Sequence, residues 1–170
     1  MRVVGGTAGG RRLQAPPGPD VRPTSDRVRE AIFSSLDSID AVRGSKVVDL
    51  FCGSGALGIE ALSRGAASAT FVDDDRTALA AVEANLASTG LGGGSVVRAD
   101  ALRWLEGAGA FDLALVDPPY AFDGWASVFA RLEASVLVAE SDRQLEVPTS
   151  WRIVRLKRYG GTVVHLATRE

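Results

Sequence analysis

Residues 46–58 read Lys-Val-Val-Asp-Leu-Phe-Cys-Gly-Ser-Gly-Ala-Leu-Gly, a succession that few folds accommodate. Val47 and Val48 belong to a short β-branched run that stops at Asp49, and Gly53, Gly55 and Gly58 follow. Leu57, Ala61 and Leu62 then recur at helical spacing, with Gly65 placed to end the helix. A strand, a tight turn and a helix in this order form the nucleotide-cradling corner of a doubly wound α/β domain. The glycines let the backbone approach a ligand, and the helix N-terminus offers N–H groups to the ligand's negative end.

On its own, Gly53-x-Gly55-x-x-Gly58 also fits a dinucleotide fingerprint, with an acid about twenty positions later at Asp73. Two features point elsewhere. Asp49 lies inside the motif, where a carboxylate can attract a ligand's ammonium group. Asp117-Pro118-Pro119-Tyr120 closes a second apolar strand further along.

A chain of 170 residues suits one domain with a sizeable core. Its 46% apolar content with mixed charges describes a globular protein. The net charge of −2 gives no overall attraction for nucleic acid, so any basic surface must be local. Cys52 is the only cysteine and His165 the only histidine, which excludes an internal disulfide and argues against a metal site. No apolar run reaches membrane-spanning length and the start lacks a signal-peptide core, so a cytoplasmic location without membrane partners is expected.

In chain order, residues 1–14 hold two strand-like pieces around four glycines, a hairpin whose charges are Arg2, Arg11 and Arg12 with no acid. A solvated edge hairpin explains it structurally; a basic arm touching phosphates explains it functionally. Such a hairpin is expected to be dispensable to the core and free to serve as an arm. Residues 14–22 form a Pro/Gly connector, so residues 1–22 are set apart from a domain at 23–170. Thr24 or Ser25 can cap the helix that follows, with Asp26 at its positive end. Arg22-Pro23-Thr24 could form a rigid turn over the ligand pocket.

A second buried strand at 69–72 ends in Asp73-Asp74-Asp75. Asp73 is placed to accept ribose hydroxyls, and Asp75 to cap the next helix, which Gly90 ends. A strand at 95–98 leads to Asp100, a helix cap that can also accept from an adenine amine. Strands are expected at 111–116 and 136–139, with a helix at 125–132 between them. Residues 151–156 and 162–167 flank Gly160-Gly161, a hairpin signal. The sum is a Rossmann-like three-layer α/β sandwich, its mostly parallel sheet of about seven strands finished by an antiparallel hairpin.

Asp49 to Gly55 and Asp117 to Tyr120 together resemble the S-adenosylmethionine-dependent amino-methyltransferases, and methyl transfer from a sulfonium needs a nucleophile held in line and a dry site more than acid–base work. A ring-conjugated amine is a poor nucleophile, and acceptors for both its hydrogens can draw the lone pair out of conjugation. Asp117 carboxylate and Pro118 carbonyl can be that pair, Pro119 stiffens the turn, and Tyr120 offers a face for a flipped base. The alternative for this tetrapeptide is a plain rigid turn. Cys52 lacks a histidine neighbour and is not read as a nucleophile, and His165 is read as a strand residue.

The segments Arg-Val-Val-Gly-Gly-Thr-Ala-Gly-Gly-Arg-Arg-Leu, Arg-Pro-Thr-Ser-Asp-Arg-Val-Arg-Glu-Ala-Ile-Phe-Ser-Ser-Leu, Asp-Leu-Phe-Cys-Gly-Ser-Gly, Phe-Val-Asp and Asp-Pro-Pro-Tyr together resemble the bacterial RsmD-type 16S ribosomal RNA guanine-N2 methyltransferases. The resemblance runs along nearly the whole chain. It implies a class I methyltransferase domain with an N-terminal hairpin, S-adenosylmethionine as donor, and a guanine of 16S RNA in the assembled or nearly assembled small subunit as acceptor. It also implies contacts from Asp49, Phe51, Gly53, Ser54 and Gly55 to the methionine end, Asp73 or Asp74 to the ribose, and Asp100 and Ala101 to the adenine. Asp117 to Tyr120 would hold the guanine amine, and Arg2, Arg11, Arg12 and Arg22 the RNA. No metal is implied, and a monomer is expected. The family usually carries glutamate where this chain has Asp73, so a ribose contact here reaches one methylene farther or uses water. The usual turn between 132 and 136 is compressed to Glu133-Ala134-Ser135.

Two other readings stand beside this one. A methyltransferase of another amine, such as adenine N6 or a glutamine amide, more often carries Asn-Pro-Pro-Tyr. The third is a nucleotide-binding oxidoreductase or a non-catalytic RNA-binding module; the Asp117 turn and the lack of a domain-sized substrate region weigh against the oxidoreductase.

Overall fold

Ser25 accepts from Val28 N and opens helix α1 (Asp26–Ser38), whose buried face carries Ile32, Phe33 and Leu36. In the computed structural model, which describes residues 1–18 and 24–170, strands and helices then alternate. They are β1 (Lys46–Leu50), α2 (Ala56–Ser63), β2 (Ser68–Asp73), α3 (Arg76–Thr89), β3 (Gly94–Arg98), α4 (Ala101–Leu105), β4 (Ala110–Val116), α5 (Trp125–Arg131) and β5 (Glu133–Ser141). The hairpin β6 (Trp151–Tyr159) and β7 (Thr162–Arg169) completes the chain. Asp75 and Asp100 cap α3 and α4 through Thr77 N and Arg103 N, and Gly90 ends α3 in the left-handed region, as expected.

The described strands form one sheet in the order β3-β2-β1-β4-β5-β7-β6. All pairs are parallel except β5–β7 and β7–β6. Alternation along β1 sends Val47 to the layer of α1 and α2 and Val48 to the layer of α4 and α5. Phe33, Leu57, Phe71 and Leu115 fill the first layer; Leu105, Val116, Trp125 and Phe129 fill the second. No helix among the described residues is long and apolar enough to cross a membrane.

The N-terminal segment differs from a free arm. A single antiparallel bridge joins Arg2 to Arg12, and Val3, Ala8 and Leu13 are buried in the same core cluster as α1 and α2. Val4 N and Gly5 N donate to the Glu60 carboxylate at 2.9 and 2.8 Å, and Ala8 N donates to Ser63 Oγ at 2.9 Å. Gly6 lies so close to α2 that a Cβ there would come within 2.0 Å of Ser63 O. The guanidinium of Arg29, fully buried, donates to Arg2 O and to Asp26, and its Nε lies 3.6 Å from Glu60. Buried backbone donors and a buried charge need such partners, so the segment is part of the fold.

Two boundaries shift by three residues. β5 starts at Glu133 directly after α5, because Leu132 already has extended backbone and Glu133 pairs with Ala110. β6 runs on to Tyr159, three residues past its expected end, because the hairpin register continues to Tyr159 opposite Thr162. Arg22 and Pro23, and with them the Arg22-Pro23-Thr24 turn and the phosphate contact expected of Arg22, lie outside the described residues.

Candidate active site

Strand register places the site. Leu50 pairs with both Val72 and Val116, and Val116 with Ala139. Phe51, Asp73, Asp117 and Glu140 therefore stand at one level, at the carboxyl ends of four adjacent strands. The glycine turn, the acid of β2 and the Asp-Pro-Pro-Tyr turn, far apart in sequence, meet along the carboxyl edge of a parallel sheet, where open α/β folds bind ligands.

The glycine turn is built by its own backbone and by two carboxylates. Phe51 has a left-handed φ of 56°, uncommon for a bulky residue, and its ring meets Phe122 edge-on at 4.9 Å. Asp73 accepts from Gly53 N at 3.0 Å and from Asp75 N at 2.9 Å, tying β2 to the turn. Asp49, 1% exposed, accepts from Gly58 N at 2.9 Å. Its carboxylate thus braces α2 from beneath, a role that the sequence did not disclose.

The three glycines do different things. A Cβ on Gly58 would come within 2.4 Å of Phe71, so this residue serves helix–strand packing. Gly55, at φ 78°, faces Val82 and Phe71. A Cβ on Gly53, at φ 54°, would meet nothing within 4 Å, so this glycine borders open space. A side chain at Gly53 would project into that space, whereas a valine at Gly55 would strain the core. Ser54 is buried with its carbonyl accepting from Asn85 Nδ2 at 3.0 Å. Asp74 and Asp100 are exposed at the ends of β2 and β3, and Ala101 is buried behind Asp100.

The charges are of one sign. Burial is the main cause that raises Asp49 well above the usual carboxylate range, with repulsion from Asp117 and Asp73 adding to it against the Gly58 hydrogen bond. Burial likewise raises Asp73, and it pushes Asp117 up to about 6, opposed by the Thr24 hydroxyl. Carboxylates held this way favour a cationic ligand, because a nearby positive charge restores their ionised form. Among the described residues no three His, Cys, Asp or Glu side chains are grouped as metal ligands. Cys52 is buried and its thiol is shifted upward by burial, as suits an inert residue. His165 is buried, accepts from Leu145 N through Nε2 and donates through Nδ1 to Ala139 O, which makes it a structural brace of β5.

Tyr120 is 41% exposed, and its hydroxyl lies 3.0 Å from Thr162 Oγ1, at the start of β7. The turn is closed by Phe122 N donating to Pro119 O. Arg2, Arg11 and Arg12 are exposed, with Arg11 donating to Ser88 O near the end of α3. Three features escaped sequence reasoning. Thr24 bonds Asp117 and Glu140 while Ser25 alone caps α1, and Glu140 stands beside Asp117. The third is β6, where Arg152, Arg155, Lys157 and Arg158 are exposed with no acid among them. Their run in the sequence was a readable signal.

This strand order, with an acid-lined glycine turn beside an Asp-Pro-Pro-Tyr turn, is the fold of the class I methyltransferases, a class that uses S-adenosylmethionine. The residues suit that cofactor, since Gly53 leaves room and the carboxylates answer its ammonium and sulfonium. The chain belongs to the family described as conserved hypothetical protein 95, whose pattern matches residues 1–168. It is 34% identical over 186 residues to Ribosomal RNA small subunit methyltransferase D of Escherichia coli (strain K12), covering 100% of this chain and 90% of that protein. It is 40% identical over 161 residues to the Putative rRNA methyltransferase YlbH of Bacillus subtilis (strain 168), covering 87% and 86%. Among solved structures, the putative methyltransferase yhhF from Escherichia coli superposes with a TM-score of 0.87 at 34% identity, covering 100% of this chain and 98% of that one.

Proposed function

We propose that this protein methylates the exocyclic N2 amine of a guanine in 16S RNA of the small ribosomal subunit, acting as a monomer in the cytoplasm. The observation that carries the reading is the level placement of Asp117 and the glycine turn on adjacent strands, fixed by the Leu50–Val116 pair. Relatives named for ribosomal RNA methylation over most of their length support the substrate class.

S-adenosylmethionine supplies an activated methyl group on a sulfonium. The chain does the rest. Asp49, Phe51, Gly53, Ser54 and Gly55 shape the methionine end, Asp73 or Asp74 takes the ribose, and Asp100 with Ala101 meets the adenine. At neutral pH Asp117, ionising near 6, accepts one hydrogen of the guanine amine, and the Pro118 carbonyl accepts the other. That pairing frees the lone pair and aims it. Tyr120 stacks on the base, its ring steadied by Thr162. Arg2, Arg11 and Arg12, joined by Arg155, Lys157 and Arg158 of β6, hold phosphates on either side.

Mass-spectrometric mapping of modified nucleosides in ribosomal RNA from a strain lacking the protein tests this. Loss of an N2-methylguanosine from small-subunit RNA is expected. An unchanged small-subunit pattern would refute the assignment.

A further inference from the structure

Asp117 has a neighbour that the reaction as described does not use. Val116 pairs with Ala139, so Glu140, still within β5, stands beside Asp117, and it is 4% exposed. The Thr24 hydroxyl sits between the two carboxyl groups. Its oxygen is 3.2 Å from Asp117 Oδ2 and 3.3 Å from both Glu140 oxygens. A hydroxyl has one proton and can donate to only one acceptor at a time. If both carboxyl groups were ionised, one would face the oxygen's lone pairs while buried. One of the two must therefore be a donor.

We propose that Glu140 positions Asp117 for the substrate amine: Glu140 carries a proton and donates it to Thr24 Oγ1, while Thr24 donates its own to Asp117 Oδ2. Asp117 is thereby kept anionic and fixed in direction, with its other oxygen left to the amine.

The surroundings decide which residue carries the proton. Glu140 is raised well above the usual carboxylate range, first by burial, then by Asp117, with Asp49 adding to it. Thr24 and Arg29 of α1 oppose this. From β7, Val164 pairs with Glu140, and the imidazole of the next residue, His165, is committed to Ala139 O and Leu145 N. Asp117 is half-buried where Glu140 is 4% exposed, so it keeps more contact with water and ionises first. The pair titrates in two coupled steps that belong to both groups.

The inference rests on the proposed role of Asp117 toward an amine, but its test begins without substrate. Side-chain carboxyl titrations by carbon-13 NMR would be recorded on the full-length protein and on Glu140→Gln, Thr24→Val and Thr24→Ser. Wild type is expected to show two steps, Asp117 before Glu140. Glu140→Gln, isosteric and still a donor, should keep the first step and lose the second. Thr24→Val removes the donor, so Asp117 should ionise at least half a pH unit higher, about a threefold gain in proton affinity. Thr24→Ser should behave as wild type. In single-turnover methylation, wild type should lose rate at alkaline pH as Glu140 ionises, and Glu140→Gln should not.

An Asp117 step unmoved by Thr24→Val, or Glu140 ionising before Asp117, would overturn the proposal. So would an alkaline limb that survives Glu140→Gln, or variants that lose only thermal stability while both titrations stay unchanged. Titrations as expected in a protein that methylates no RNA would uphold the arrangement and refute the function.

Discussion

Asn85 and Gln14 exchange a reciprocal pair of hydrogen bonds: Gln14 N donates to Asn85 Oδ1 at 2.7 Å, and Asn85 Nδ2 donates to Gln14 O at 2.9 Å. The same amide nitrogen reaches Ser54 O in the glycine turn at 3.0 Å. One side chain of α3 thus clamps the N-terminal segment to the glycine turn. Met1 also reaches it, with Sδ 3.9 Å from Ser54 Oγ.

Removing residues 1–12 is therefore expected to damage more than RNA binding. The deletion leaves Glu60 without two backbone donors and Arg29 without the Arg2 carbonyl. Loss of partners for buried charges costs about 3–5 kcal/mol, and for a chain of this size each kcal/mol is about 2–4 °C. A fall in Tm of about 10 °C with weaker S-adenosylmethionine binding is expected by calorimetry. A truncated protein with unchanged Tm and cofactor affinity would restore the free-arm view.

Gly53 and Gly55 should separate when substituted. Gly53→Ala should weaken cofactor binding with a moderate loss of Tm: its Cβ points to open space, but its left-handed φ of 54° strains an L residue by about 1–2 kcal/mol. Gly55→Val should lower Tm strongly, because its side chain would press on Phe71 and Val82. Thermal melts with and without cofactor distinguish them; equal loss of stability in both would contradict the assignment.

Strand β6 should hold RNA independently of the cofactor. Arg152 is paired with Glu170 at 3.1 Å, whereas Arg155, Lys157 and Arg158 have no carboxylate partner among the described residues. Converting these three to glutamine should weaken binding to small-subunit particles. Each lost phosphate contact should flatten the log–log salt slope by about 0.7 to 0.9. S-adenosylmethionine affinity should not change. An unaltered slope would assign the charges to guarding an exposed sheet edge against self-association.

Cofactor binding should release protons. Asp117 ionises near 6, so near that pH the free protein holds a proton that an approaching cation displaces, and the upward shifts of Asp49 and Asp73 act in the same direction. Binding that favours the ionised form must tighten as pH rises from about 5 to 7. Titration calorimetry in buffers of different ionisation enthalpy measures the release. S-adenosylhomocysteine, without the sulfonium charge, should release fewer protons. Proton uptake, or equal release by both ligands, would contradict the electrostatic account.

The central strands were legible because their signals are local. Val47 to Gly58 carries its own period and turn chemistry, and Asp75, Asp100 and Gly90 announce helix ends in place. The Glu133 boundary was hidden because no glycine or proline marks the passage from α5 to β5. The packing of the N-terminus depends on Glu60, 56 positions from Val4, and no periodicity reports that contact. The Thr24–Glu140 contact spans 116 positions and forms only when β4 and β5 come into register. Asp49 was readable as an acid at a strand end but not as the brace of Gly58, since only the folded turn shows which way its carboxylate points.

The most direct measurement incubates the purified protein with labelled S-adenosylmethionine and small subunits from a strain lacking it, then identifies the labelled nucleoside. The expected result is label in N2-methylguanosine alone. Asp117→Ala should reduce the rate by roughly two or more orders of magnitude, the scale of a lost transition-state contact, while still binding the cofactor. Label in another nucleoside, or an Asp117→Ala protein as active as wild type, would contradict the account.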